Sequence, residues 1–422
     1  MKRLVALVCF VWATTAGAQT AWPEYMPGLS AGFSESPVAG VLPADMTITP
    51  PAASVPADKA RWSGLWEGWT CGGALCDVKI AVEKVTGTGA TLVYAGGSSP
   101  SSLTERSEAL FESGELVFRV KTGARLAMRL RAGDEMELSI WKPDTQLITT
   151  GLLTQKAVND HTRTIERVPT PWVENGKPQT LEMVVYRPLG SGPFPTLVMN
   201  HGSTGNGDKP ERFANTWTNP ELARVFVRKG WQVLYPQRRG RGKSDGLYDE
   251  GFEIDRSRYA SDPALALPGM ERALADLDVV MAHVLNRSDV DTKRMLIGGV
   301  SRGGILSAVY AGTRPGPILG VLNFVGGWVG DRWLYAGAVN TASFRRAAAF
   351  SKPVLWLYGD KDPFYSLRHS RTNFDAFIAA GGKGRFVTYP PPTGQSGHAI
   401  HAYPGMWQAA VDDYLQQAVP PR

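Results

Sequence analysis

The residues best placed to do chemistry stand in Gly299-Val300-Ser301-Arg302-Gly303, where the apolar run 294–298 stops at a serine spaced between two glycines. Glycines two residues either side let a strand and a helix pass close to the turn between them, so that the hydroxyl stands exposed as an attacking group. A serine hydroxyl is a poor nucleophile until a base takes its proton, and the base needs a carboxylate to fix its tautomer and stabilise its cation. The sequence offers six histidines: His161, His201, His283, His369, His398 and His401. His161 lies ahead of the apolar strands, His283 within a helical segment, and His201 at a strand end in Asn200-His201-Gly202-Ser203-Thr204-Gly205. His398, in Gln395-Ser396-Gly397-His398-Ala399, follows the last strand in a loop and is the candidate base, with His401 in the same loop as its alternative. The candidate acid is Asp362, in Tyr358-Gly359-Asp360-Lys361-Asp362-Pro363 beyond an apolar strand. A carboxylate there sits in the crevice where open parallel sheets bind ligands. Asp360 and Asp331 are the alternatives.

These residues need a scaffold, and the pattern from about residue 158 onward supplies one. The stretches 164–168 and 181–187, joined through Glu174-Asn175-Gly176-Lys177, predict an antiparallel hairpin. Apolar strands at 196–200, 232–236, 294–298, 319–325, 353–358 and 385–389 then alternate with amphipathic segments at 220–229, 270–286, 303–312, 367–380 and 402–417. That alternation predicts a mostly parallel sheet covered on both faces. Upstream, 61–156 shows short runs of period two split by glycines, such as 78–82, 116–120 and 136–140, which predict a small antiparallel barrel or sandwich over 59–157. Its opening carries Trp62, Trp66 and Trp69, either a stacking surface or buried aromatics closing one end of a barrel.

Residues 1–18 read as a secretory signal: Lys2 and Arg3, an apolar run 4–13, then Ala16-Gly17-Ala18 as a cleavage site. The expectation is a secreted or periplasmic protein, since the apolar run is shorter than the ~20 residues a span needs. The stretch 19–58, rich in proline and alanine, predicts an extended, poorly packed linker. Cys71 and Cys76 stand close together in a glycine-rich loop and are expected to pair in an oxidising compartment. No histidine lies near them, so no metal site is expected there. The net charge of +6 falls to +4 without Lys2 and Arg3, with one basic cluster from Arg238 through Arg239 and Arg241 to Lys243, read as a solvated loop. Charge so scattered gives no support for a nucleic-acid or membrane-surface partner. The glycine loops also fail as P-loops, because Asp208 and Gln237 stand where lysine and the first glycine are required.

Ser301, Asp362 and His398 occur in the chain order of the α/β-hydrolases, and the region from residue 158 onward resembles that superfamily, in particular its dienelactone hydrolase-like and prolyl oligopeptidase-like branches. The resemblance implies an α/β-hydrolase fold, a mostly parallel eight-stranded sheet with helices on both faces, preceded here by the small all-β domain. It also implies an oxyanion hole from the amides of Ser203, with Thr204 as neighbour, and Arg302. The family's arginine-glycine-x-glycine-x-serine loop is matched from Arg239 to Ser244. The implied function is a cofactor-free serine hydrolase that cleaves small-molecule or polymer esters through an acyl-enzyme. A prolyl oligopeptidase-like peptidase, and a polymer-binding protein on an inactive hydrolase scaffold, are the alternatives. Trp328, Trp333 and Tyr335 line an apolar acyl or aromatic pocket, or are core.

Overall fold

The computed structural model of the protein describes residues 33–34, 39–71, 76–98, 101–131, 135–144, 147–155, 161–205, 207–208, 210, 213–314, 316–391 and 396–419. The expected export signal lies outside them. After the two-residue strand β1 (Phe33–Ser34) and the one-turn helix α1 (Ala57–Ala60) come eight strands. They are β2 (Gly64–Cys71), β3 (Cys76–Val85), β4 (Gly89–Ser98), β5 (Ser101–Glu112), β6 (Glu115–Arg119), β7 (Arg125–Leu130), β8 (Glu135–Lys142) and β9 (Leu147–Gln155). Each pairs antiparallel with the next, and β9 returns to β2, so the sheet closes as a barrel. Alternate residues face inward, Val78, Ile80 and Val82 from β3 and Met136, Leu138 and Ile140 from β8 among them.

Trp62 and Trp66 are buried at 3% and 1% exposure, and the Trp66 indole donates to the Trp62 carbonyl at 3.0 Å. These two tryptophans are barrel core, not a stacking surface; the Trp69 side chain lies outside the described residues. So do the side chains of Cys71 and Cys76, which end β2 and begin β3 across one hairpin.

The expected loose packing of 19–58 does not hold where that stretch is described. The Gly40 N–H donates to Asp77 at 2.8 Å, Thr47 N–H donates to Glu83 at 3.1 Å, and Arg106 bridges Glu83 and Asp45. Phe33–Ser34 pairs with β13 (Trp217–Thr218). An aperiodic extended chain cannot satisfy its own backbone, and here charged side chains on the barrel wall and a strand edge do so instead.

The second sheet runs in the order β10 (His161–Glu174), β11 (Lys177–Pro188), β14 (Gln232–Pro236), β12 (Phe194–Asn200), β15 (Val290–Val300), β16 (Ile318–Phe324), β17 (Pro353–Gly359), β18 (Lys383–Tyr389). The pairs from β14 through β18 are parallel, and β10 and β11 are antiparallel. The helices are α2 (Pro220–Arg228), α3 (Pro263–Leu285), α4 (Arg302–Thr313), α5 (Ala342–Ala347), α6 (Leu367–Ala379) and α7 (Pro404–Ala418). They pack in two sets, α2 with α7, and α3 through α4 and α5 to α6, covering the two faces of the sheet. Among the described residues no helix is long and apolar enough to cross a membrane.

The barrel touches the second sheet's helices at a charged seam. Glu135, at the start of β8, accepts from the Gly405 N–H in the first turn of α7 at 3.1 Å, and Arg131 lies over the Tyr403 ring. Beside Glu135, burial raises the Glu221 carboxyl in the first turn of α2 to about 8, against the pull of Arg224 and with a push from Glu135. A carboxyl with a raised folded-state pKa costs stability as pH climbs from its unfolded value, because folding then requires it to keep a proton that the unfolded chain has released. From the ordinary glutamate value of 4.5 the loss amounts to roughly 3 kcal/mol by pH 7. Glu221→Gln is therefore expected to be the more stable protein at pH 7.5, with the difference shrinking toward pH 4.5. Urea unfolding of both proteins across that range checks it, and parallel pH profiles would refute it.

Candidate active site

Every candidate residue emerges at the carboxyl end of a parallel strand. Ser301 links β15 to α4 with φ 55° and ψ −122°, a strained conformation for a residue with a side chain. Its flanking glycines are dictated by contact. A Cβ on Gly299 would lie 2.2 Å from the Gly303 backbone, and one on Gly303 would lie 2.2 Å from the Asn200 carbonyl oxygen. The turn is anchored by the Ser301 N–H to the Phe324 carbonyl at 2.9 Å.

Asp362 and His398 meet. His398 Nδ1 and Asp362 Oδ2 are 2.7 Å apart, with both side chains buried. Asp362 Oδ1 accepts the Phe364 and Tyr365 N–H groups at 2.8 and 3.1 Å, so one oxygen is held by backbone and the other faces the imidazole. The two loops come together because a Cβ on Gly359 would sit 2.2 Å from the Gly397 carbonyl oxygen; only glycine permits that approach. The alternatives are engaged elsewhere. Asp360 is exposed, Asp331 accepts from the Ser366 N–H at 2.8 Å, and His401 pairs with Asn219 at 3.1 Å.

Tyr365 sits beside them. Its ring lies 5.7 Å from that of His398, and its phenol donates to the carbonyl of Gly327 at 2.8 Å, whose own N–H donates to the Ser301 carbonyl at 3.2 Å. His398 Nε2 is buried with no partner among the described residues.

The turn after β12 is set from beneath by Arg238. Its guanidinium donates to the His201 carbonyl at 3.0 and 3.1 Å and to the Gly202 carbonyl at 3.4 Å. Its N–H donates to His201 Nε2 at 3.2 Å, so Nδ1 carries the proton that bonds the Gly202 carbonyl at 2.8 Å. Burial, with Arg238 and Arg241 adding to it, holds His201 well below the usual imidazole range and keeps it neutral. In a trans peptide the N–H opposes the C=O, so a Gly202 carbonyl turned toward Arg238 turns the Ser203 N–H away from it. The neighbouring Thr204 N–H already donates to the Tyr259 hydroxyl at 3.0 Å. Arg302 opens α4, where a first-turn N–H has no intrahelical acceptor. Its guanidinium is stacked between Tyr259 (3.6 Å) and Trp328 (4.3 Å) and donates to the Glu250 carbonyl at 2.7 Å.

The reading of 238–243 as a solvated loop fails. Arg238 and Arg241 are buried, Arg238 is paired with Glu250, and Arg239 is bound to Asp276 at 2.5 Å. Carboxylates from distant segments are what let these guanidinium groups leave water. Phe364, partly exposed, stands edge-on to His398 at 4.8 Å, while Trp333 and Tyr335 are exposed in the segment between β16 and α5. Trp328, by contrast, is core, its indole donating to the Ala266 carbonyl at 3.0 Å.

The sequence profile of the Dienelactone hydrolase family matches residues 181–405, just over half of the 422-residue chain. The chain belongs to the dienelactone hydrolase family. Among similar proteins, a carboxymethylenebutenolidase candidate of Yersinia pestis is 31% identical over 242 residues, covering 54% of this chain and 80% of that one. One from Methylorubrum extorquens is 26% identical, covering 51% and 66%. A crystal structure of a candidate dienelactone hydrolase from Klebsiella pneumoniae aligns at 21% identity and a TM-score of 0.39, covering 60% of this chain and 99% of that one. The matched residues take in the second sheet from within β11 to β18, and β10 and the barrel lie outside them. Within the dienelactone hydrolase-family core, Arg238, Tyr259 and Tyr365 surround the candidate residues without any sequence signal beyond proximity to the matched motifs.

Proposed function

We propose that the protein is an exported serine hydrolase that cleaves carboxylic esters through an acyl-enzyme, with Ser301 as nucleophile, His398 as base and Asp362 as its orienting acid. The observation that carries the reading is the 2.7 Å Asp362–His398 bond beyond the ends of β17 and β18, neighbouring strands separated from the β15 strand of the Ser301 elbow by β16 alone. Membership in an ester-hydrolysing family supports it.

In the proposed reaction the Ser301 oxygen attacks the ester carbonyl while His398 Nε2 takes the hydroxyl proton. Asp362 holds Nδ1–H and stabilises the imidazolium. The Ser203 and Arg302 N–H groups receive the oxyanion. Collapse expels the alcohol with the proton returned by His398, and a water activated by the same imidazole then hydrolyses the acyl-enzyme. No cofactor is required for these steps. The partly exposed Phe364 beside His398 favours substrates with an apolar group. The relatives' names refer to a butenolide, which is a cyclic ester, so lactones belong in the substrate panel. Export rests on the signal-like residues 1–18, and pairing of Cys71 with Cys76 in an oxidising compartment goes with it.

The test is stoichiometric labelling of the purified protein by a fluorophosphonate, followed by hydrolysis rates on aryl esters, alkyl esters, lactones and peptide amides. Labelling with turnover of esters or lactones is the expected result. Efficient cleavage of peptide amides would replace it with the peptidase reading, and no labelling of folded protein would refute both.

A further inference from the structure

The barrel reaches the segment that carries His398. Helix α7 begins where the 3₁₀ turn Gly397–Ala402 ends, with Tyr403 as its N-cap and Pro404 and Gly405 as its first two residues. The first N–H groups of a helix have no intrahelical acceptor, and the N-cap side chain ordinarily takes the one at the second or third position. Asn219, Asp262 and Ser366 do so for α2, α3 and α6. Tyr403 makes no such bond with its side chain, and Pro404 has no N–H to offer. The Met406 N–H turns back to the Tyr403 carbonyl at 3.0 Å, which leaves the Gly405 N–H. Glu135 of the barrel accepts it at 3.1 Å. A Cβ on Gly405 would stand 3.0 Å from the second Glu135 carboxyl oxygen, so glycine lets the carboxyl close on the amide.

A second barrel residue bears on the same place. The Arg131 N–H donates to the Glu135 carbonyl at 2.9 Å across the β7–β8 pair, and its guanidinium lies 5.5 Å from the centre of the Tyr403 ring. That guanidinium is held in turn by Glu137 in β8, and Glu135 is buried. The 3₁₀ turn has little slack to absorb a shift. The Tyr403 N–H donates to the Ile400 carbonyl at 3.0 Å, and Ile400 is in the core. Asn219 fastens the turn at His401, through ring and carbonyl at 3.1 and 3.0 Å, and the barrel fastens its far end.

We propose that the barrel sets the candidate base: Glu135, with Arg131 beside it, is a positioning residue that holds the 403–405 junction and through it keeps His398 Nδ1 against Asp362. The kinetic consequence rests on the serine-hydrolase reading above. Because β8 lies outside the residues matched by the family profile, this support reaches the catalytic core from beyond it.

Glu135→Ala removes the acceptor, and an imidazole set loose by a fraction of an ångström is a poorer base, so the second-order rate of fluorophosphonate labelling is expected to fall by roughly 10-fold. Glu135→Gln keeps an acceptor oxygen for Gly405 and is expected to label close to the wild-type rate. The low-field proton resonance of His398 Nδ1–H, identified by its loss in His398→Gln, is expected to move or broaden in Glu135→Ala and to return in Glu135→Gln. A role confined to stability lowers the melting temperature and, in protein kept well below it, moves neither reading. Unchanged labelling of folded Glu135→Ala overturns the proposal. So does equal slowing in Glu135→Gln, which would assign the effect to charge. Should Glu135→Ala not fold, Glu135→Asp, shorter by a methylene, drags on the same bond: slower labelling with a moved resonance is expected, and unchanged labelling overturns the proposal. If the wild type takes no label, the hydrolase reading falls and the resonance alone decides, since the Asp362–His398 bond does not depend on turnover. Unmoved in folded Glu135→Ala, it overturns the positioning role.

Discussion

Ser301→Ala is expected to lower kcat on esters by roughly a hundred-thousand- to a million-fold, the scale seen when a hydrolase loses its nucleophile. The protein should otherwise stay intact. Residue 301 sits at φ 55°, where alanine and serine bear the same backbone strain because both carry a Cβ. The hydroxyl is buried, but its removal leaves the Tyr365 phenol still bonded to Gly327, so stability should move by no more than about 1 kcal/mol. Steady-state rates with a chromogenic ester, read beside a thermal melt, check both halves. Residual turnover within tenfold of wild type would mean that the attacking group lies elsewhere.

Asp362→Asn should cost roughly ten-thousand-fold in kcat with little change in fold, the scale of the corresponding change in serine proteases. The reason lies in how the carboxylate is used. Oδ1 accepts from two backbone N–H groups and Oδ2 faces His398 Nδ1, so acceptors are needed on both sides. An amide has one acceptor oxygen. With that oxygen held by the Phe364 and Tyr365 N–H groups, the amide nitrogen must face Nδ1 and donate to it. That forces the imidazole proton onto Nε2, the atom that has to take the serine proton. The pH profile of kcat and an NMR determination of the His398 tautomer test this. A variant within a few-fold of wild type, with the proton still on Nδ1, would remove Asp362 from the mechanism and return attention to Asp360 and Asp331.

The second sheet was legible because parallel strands covered on both faces are apolar along most of their length, and the runs at 196–200, 232–236 and 353–358 need no partner to be recognised. Barrel against sandwich was not legible, since closure is a property of the β2–β9 pairing and leaves no trace in alternation. His398 and His401 were inseparable for a similar reason. They lie three residues apart in one buried turn, and what distinguishes them is a bond from His401 to Asn219, 182 residues away. Arg238 looked like a loop cation because neither Glu250, 12 residues on, nor the His201 carbonyl, 37 residues back, is marked as its partner by any local pattern. A tyrosine in Asp362-Pro363-Phe364-Tyr365 reads as core by composition, and it is core.

Arg238 orients the peptide between Gly202 and Ser203 through its carbonyl, from the side opposite the Ser203 N–H. The direction of the Ser203 N–H is therefore independent of what side chain position 203 carries. On the proposed mechanism this separates two tasks that many sites load onto one residue: the amide can serve transition-state binding while the side chain is free to drift. Position 203 is then a natural place for divergence, in evolution or in the laboratory, where a library could reshape substrate preference while the donor beneath stays aimed.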